Sequence, residues 1–252
     1  QFVNRSPLKK LFIDGTCKQG TLYRDFLNGS RIAFLYAQEE ADRTRSYTND
    51  MLLVDEVQAF DLELLPVIRE TLTASDWRIQ VFTGTPLSLD NTIETLWQES
   101  SQCEWVIKCQ SCNLYNIPSI DHHILKMIGP MKDDISEDNP ATICANCGKP
   151  ISPRLGQWIP RYRDRMESFP GYHIPQIILP MHYANSGRWQ ELLEKREGKG
   201  PTPWFSFVNE VLGESCDIAT AMLSPSDLLA VSQLDKNSLT NLMTRRHDYS
   251  LL

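Results

Sequence analysis

The 252-residue sequence predicts an α/β fold built on a parallel sheet, followed by a metal-binding cysteine module and a helical region. Three observations carry this. Short apolar runs alternate with helical spacing over the first 100 residues. Two Cys-x-x-Cys pairs then follow, and beyond residue 165 helical patterns are punctuated by Gly and Pro. The predicted domains are residues 1–100, 101–165 and 166–252.

In the first region, residues 31–37 (RIAFLYA) read as a short apolar strand. Residues 51–54 (MLLV) read as a second, apolar at every position, as in a strand buried on both faces. Leu62, Leu65, Ile68 and Leu72 have helical spacing, with Asp61 as N-cap and Pro66 in the opening turns, where its missing N–H does least harm. Residues 77–83 form a third strand, and a helix starts at Asn91. Strands alternating with helices imply a parallel sheet.

In the second region, residues 104–108 and 156–161 are β-like and flank the cysteine pairs, while residues 129–140 read as an acidic loop. In the third, helices are expected over 187–197, 204–212 and 225–231, the last with Ser224 as cap and Pro225 at its first position.

Composition narrows the function classes. Hydrophobic residues make up 41% and charged residues 23%, an ordinary globular balance. The net charge of -7 argues against a general nucleic-acid coat protein. The deficit is local, however: residues 51–100 carry 9 acidic and 2 basic side chains. No apolar run approaches the ~20 residues that span a bilayer, and residues 1–10 lack a signal peptide's apolar segment. No membrane association is expected. The initial Gln1 suggests a processed chain or a piece of a longer one. An odd cysteine count, seven, speaks against a disulfide framework and for metal in a reducing compartment.

Three motifs carry chemistry. Met51-Leu52-Leu53-Val54-Asp55-Glu56 has the pattern of a Walker B strand, in which a buried strand delivers two carboxylates to the carboxyl edge of the sheet. Asp55 would hold Mg²⁺ against the phosphates of ATP, and Glu56 would polarise the attacking water. The plain alternative is a strand ending in two acids at a helix start. Val81-Phe82-Thr83-Gly84-Thr85-Pro86 ends the next strand, placing Thr83 and Thr85 to sense the γ-phosphate; Gly-Thr-Pro also suits an ordinary turn. Gln58, in Asp55-Glu56-Val57-Gln58, is assigned with Asp55 to nucleotide binding. No P-loop accompanies them. Residues 15–21 (GTCKQGT) lack its lysine, so this chain alone should bind ATP poorly or not at all.

The second motif is Cys109-x-x-Cys112 with Cys144-x-x-Cys147, with 31 residues between the pairs. Asn113 and Gly148 suit the left-handed turn that follows each pair. Four thiolates fit a closed tetrahedral Zn²⁺ site of a structural kind. Cys17, Cys103 and Cys216 read as ordinary buried thiols, and His122 and His123 as a surface loop pair. The third motif is a basic run with Lys149, Arg154, Arg161, Arg163 and Arg165, interleaved with Trp158 and Tyr162. It suits double-stranded DNA, or equally a solvated charged strand.

The ordered set of motifs resembles the large terminase subunit of tailed bacteriophages, of the lambda-like type. It runs through Asn28-Gly29-Ser30, Arg45-Ser46, Leu53-Val54-Asp55-Glu56 and Thr83-Gly84-Thr85-Pro86. After the cysteine pairs come Pro170-Gly171-Tyr172-His173, Phe207-Val208-Asn209-Glu210 and Leu212-Gly213-Glu214. The resemblance implies a partial P-loop NTPase (ASCE-like) parallel sheet, an inserted zinc ribbon and a helical linker leading toward a nuclease domain. It further implies an ATP-driven motor in the host cytoplasm that pumps viral DNA into a procapsid and cuts concatemeric DNA. Its partners would be the small terminase subunit and the portal protein, and it would act as a homo-oligomer. The Walker A half would lie before Gln1 and the nuclease near or after Leu252. Two other readings stand beside this one: a helicase-like ATPase, and a zinc-ribbon module that binds DNA or protein without ATPase activity.

Overall fold

The computed structural model of the chain describes residues 17–18, 20–35, 47–198 and 204–216. The expected helix over 225–231 and the Arg45-Ser46 pair lie outside them. The fold is mixed α/β with small sheets, and the chain divides into two units, residues 1–83 and 84–252.

The first unit opens with a hairpin. Strand β1 (Tyr23–Asp25) pairs antiparallel with β2 (Arg31–Ala33), Tyr23 opposite Ala33. The strand expected over 31–37 therefore belongs to a hairpin, since the Asn28-Gly29 turn reverses the chain just before it. Its residues 36–37 lie outside the described residues.

Strand β3 (Met51–Val54) pairs parallel with β4 (Ile79–Phe82), Met51 opposite Ile79 and Val54 opposite Phe82. Parallel strands need a crossover, and here it contains helix α1 (Leu64–Arg69) with 3-10 turns at Val57–Ala59 and Glu70–Leu72. Helix α1 starts two residues later than its apolar spacing suggests. The Asp61 carboxylate accepts the Glu63 N–H at 3.0 Å and so makes the preceding turn instead of the cap.

Burial of β3 departs from the expectation. Val54 is buried at 7% exposure, but Leu53 is 63% exposed and Met51 48%. Helix α1 lies on one face of the pair, where the Arg69 guanidinium stacks over Phe82 and donates to Gln80. Successive strand residues alternate faces, so Met51, Leu53 and Ile79 line the opposite, uncovered one.

The second unit begins with helix α2 (Thr92–Glu99), whose cap is Asn91: its side chain accepts from the Ile93 and Glu94 N–H groups. A three-stranded antiparallel sheet follows in the order β6 (Tyr115–Asn116), β5 (Cys103–Lys108), β7 (Gln157–Pro160). Trp105 faces Trp158 across β5 and β7, their rings edge-on at 5.0 Å.

The chain then forms a 3-10 turn at Gln176–Ile178, α3 (Pro180–Tyr183) and α4 (Ser186–Arg196). Helix α5 (Trp204–Ser206) runs on as a π-helix, Phe207–Leu212. The expected helix over 204–212 is present but widened. Five of the six π-helical residues are buried, more than one stripe of an α-helix would bury, which suits the wider turn.

Cysteine-bearing strands and helices share one core. Ile107, Cys109, Met127 and Cys144 pack in the same buried cluster as Tyr183, Trp189, Phe207 and Val211. Hydrogen bonds cross it: the Ala141 N–H donates to the Tyr183 carbonyl at 2.9 Å, the Thr142 hydroxyl to Ile177 at 2.7 Å, and the Trp189 indole to Gly129 at 3.0 Å.

Candidate metal centre

The strongest site is the four-cysteine cluster. The Sγ atoms of Cys109, Cys112, Cys144 and Cys147 all lie within 4.8 Å of one another. Cys109 and Cys147 are 3.7 Å apart, and Cys112 and Cys144 3.5 Å. Four sulfurs held about 2.3 Å from one tetrahedral ion stand ~3.8 Å apart, whereas a disulfide would bring a pair to about 2.05 Å. The two closest pairs are near that ligand spacing and far from a disulfide, and such a set could hold a metal ion such as zinc.

Two nearly equivalent turns build the cluster. The Cys109 N–H donates to the Leu114 carbonyl and the Cys144 N–H to Lys149, each at 2.8 Å. The Asn113 N–H returns to the Cys109 carbonyl at 3.0 Å, and the Gly148 N–H to Cys144 at 2.9 Å. Asn113 has φ 62° and Gly148 φ 69°, the left-handed conformation that these residue types tolerate best. Both sequence expectations about these turns hold.

Electrostatics around the sulfurs are uneven. The Leu114 N–H and the Asn146 side chain draw the Cys112 thiol down to about 6. Burial opposes ionisation of Cys144, but N–H groups of Cys147 and Asn146 outweigh it and lower that thiol too. The Lys149 N–H favours a Cys147 thiolate, yet loss of solvent and the three neighbouring sulfurs together push it up to about 11. Four thiolates without a cation repel one another; a divalent ion removes that conflict.

Asn116 joins the two turns, and sequence reasoning passed over it. It is fully buried on β6. Its amide NH₂ donates to the Ile107 and Leu114 carbonyls at 3.2 Å each, and its carbonyl oxygen accepts the Ala145 N–H at 2.8 Å. The available signal was its place four residues after Cys112.

The two neighbouring histidines have structural roles. His123 Nδ1 accepts the Ile117 N–H at 3.0 Å, and His122 pairs with the Ser119 hydroxyl at 3.1 Å, so both pin a loop. Cys103 is buried against Ser101 and Met166. Cys17 and Cys216, expected to be buried like Cys103, are only half-buried.

A second constellation lies in the first unit. The Thr83 hydroxyl donates to Asp55 Oδ1 at 2.7 Å, and that oxygen also accepts the Glu56 N–H at 3.0 Å. Backbone bonds from the Thr83 N–H to Val54 (2.9 Å) and from the Val57 N–H to Thr83 (3.0 Å) stitch the two strand ends together. Glu56 has φ 53°, rare for a residue with a side chain, and its carboxylate accepts from the Gln58 amide. Asp55, Glu56, Gln58 and Thr83 are thus gathered at one edge of the parallel pair, while Thr85 falls in the second unit.

The basic run is dispersed in its commitments. Arg154 pairs with Glu137 at 2.6 Å. Arg165 donates to the Gln98 and Ser100 carbonyls and stacks on Tyr162 at 4.1 Å. Lys149, Arg161 and Arg163 are exposed.

No family model, no curated protein and no solved structure matches the chain. Among the described residues no helix is long and apolar enough to cross a membrane.

Proposed function

We propose that the chain is the Walker B half of a DNA-packaging ATPase of the terminase type, carrying a zinc ribbon and a helical linker. The observation that carries this is the Asp55–Thr83 hydrogen bond at adjacent carboxyl ends of parallel strands. Such an edge is where phosphate and metal bind in open α/β sheets. Oδ1 of Asp55 is occupied by Thr83 and the Glu56 N–H, and no hydrogen bond to Oδ2 is formed among the described residues. That oxygen would hold Mg²⁺, directly or through water, when ATP is bound. The Thr83 hydroxyl, tied to the same carboxylate, would move when the metal arrives and pass the change into the chain that follows. Glu56 would orient the attacking water, with the Gln58 amide positioning its carboxylate.

In this reading Zn²⁺ at Cys109, Cys112, Cys144 and Cys147 is structural, because four protein ligands close its coordination sphere. Exposed Lys149, Arg161 and Arg163 would offer charge to double-stranded DNA.

The flanking coding sequence tests the proposal. The parent frame should encode G-x-x-x-x-G-K-[ST] upstream of Gln1 and an acidic nuclease cluster downstream of Leu252. A parent frame without a P-loop overturns the packaging reading and favours a zinc module that binds DNA or protein without ATP turnover.

A further inference from the structure

His173 lies in the second unit and is 7% exposed. Its two ring nitrogens face acceptors only. Nδ1 stands 2.8 Å from Glu104 Oε2 on β5, and Nε2 stands 2.6 Å from the Leu212 carbonyl at the end of the π-helix. A neutral imidazole has one N–H and could satisfy one of these partners; an imidazolium has two and satisfies both.

The surroundings bind the same segment. Gly213 takes φ 71°, and a Cβ there would sit 3.1 Å from His173 Nε2, so a side chain at this position would crowd the ring. Glu214 Oε1 accepts the Ile120 N–H at 2.7 Å. The Asn209 amide donates to the Leu87 and Glu214 carbonyls at 2.7 and 3.0 Å. Trp97 of α2 meets the His173 ring edge-on at 6.1 Å.

We propose that His173 is an imidazolium clasp that docks the segment 207–216 onto β5, and that losing its proton releases that segment locally. Deprotonation removes one of the two N–H donors. Either the Leu212 carbonyl or the Glu104 carboxylate is then buried without its partner, which is costly.

The charged groups facing the clasp are Glu104 from β5 and Glu214 from the chain after the π-helix, with Asp121 facing Glu214 from the neighbouring loop. Trp97, from α2, is uncharged. Burial opposes the His173 charge, but the Glu104 hydrogen bond and the charges of Glu104 and Glu214 outweigh it and hold the imidazole above its ordinary range. Burial likewise pushes Glu214 up to about 7. Both groups bind protons more tightly when folded. The His173 contribution is therefore full below its ordinary pKa of 6.5 and lost as pH rises past its folded value, whereas that of Glu214 is full only below its ordinary 4.5 and is lost by about 7.

Amide hydrogen exchange of the zinc-loaded chain, corrected for intrinsic rates, tests this between about pH 6 and pH 9. Protection over 207–216 should fall about tenfold or more with rising pH, while β5 and the cysteine turns keep theirs. Glu214→Gln should retain the fall, and His173→Gln should abolish it. Nitrogen NMR of the unmodified chain at about pH 6 should show both His173 ring nitrogens protonated. Equal protection at the two pH values, equal loss across the whole unit, a flat Glu214→Gln profile, or a singly protonated ring would each overturn the proposal.

Discussion

Asn116 couples the two cysteine turns through three hydrogen bonds made at a fully buried position. Replacing it with Leu keeps the branched skeleton, in a somewhat larger side chain, and removes every one of them. The Ile107 and Leu114 carbonyls and the Ala145 N–H would then lose their side-chain partner. The expected cost is about 2–4 kcal/mol of stability and a 10- to 100-fold loss in metal affinity. Chelator competition measures the affinity, and unchanged affinity would reduce Asn116 to a packing role. The four ligands themselves were legible, because Cys-x-x-Cys followed by Asn113 or Gly148 encodes its own turn. Asn116 was not, because a buried amide and a turn amide look alike until the strands around it are placed.

At the scale of elements, α2 is the clearest case of local sequence deciding structure. Asn91 accepts from two N–H groups of its first turn, and Glu94 sits three residues on, where an acid favours a helix start. Asn91→Ala should cost about 1 kcal/mol, read as a lower denaturation midpoint of the second unit. No change would mean that packing alone fixes this end. The strand segments of β3, β4, β5 and β7 were likewise readable from apolar runs bounded by turn residues. Three things were not. The pairing partner of β2 depends on the Asn28-Gly29 turn and on β1, a three-residue strand too short to show a period. The exposed face of β3 depends on which helices cover the sheet, and Met51-Leu52-Leu53-Val54 is apolar at every position, so it carries no alternation to reveal it. The short α3 is set by packing around fully buried Tyr183 and has no periodic signature of its own; the helix over 204–212 was readable from its apolar spacing, but its π-helical widening, around fully buried Phe207, was not.

At the scale of the molecule, the four-cysteine cluster and the helices share one buried core. Cys109 and Cys144 belong to the same buried cluster as Trp189, Leu192, Phe207 and Val211, so no apolar boundary separates the cysteine region from the helices. Helix α4 has 11 residues, and isolated helices of that length are marginal in water. Its stability comes from Trp189, Leu192 and Leu193 packing into that shared core. If the cluster holds a divalent ion, removing it takes away the bond that closes both cysteine turns, and the core would lose one wall. Metal analysis should find about one Zn per chain. Stripping it with a chelator, or replacing Cys109 with Ser, should lower the far-UV helical signal as well as disorder the cysteine turns. Acidification should act in the same direction, since thiolates must be deprotonated to hold the ion. A helical signal that survives both chelation and Cys109→Ser would show that the helices fold without the cluster and that the shared core is not cooperative.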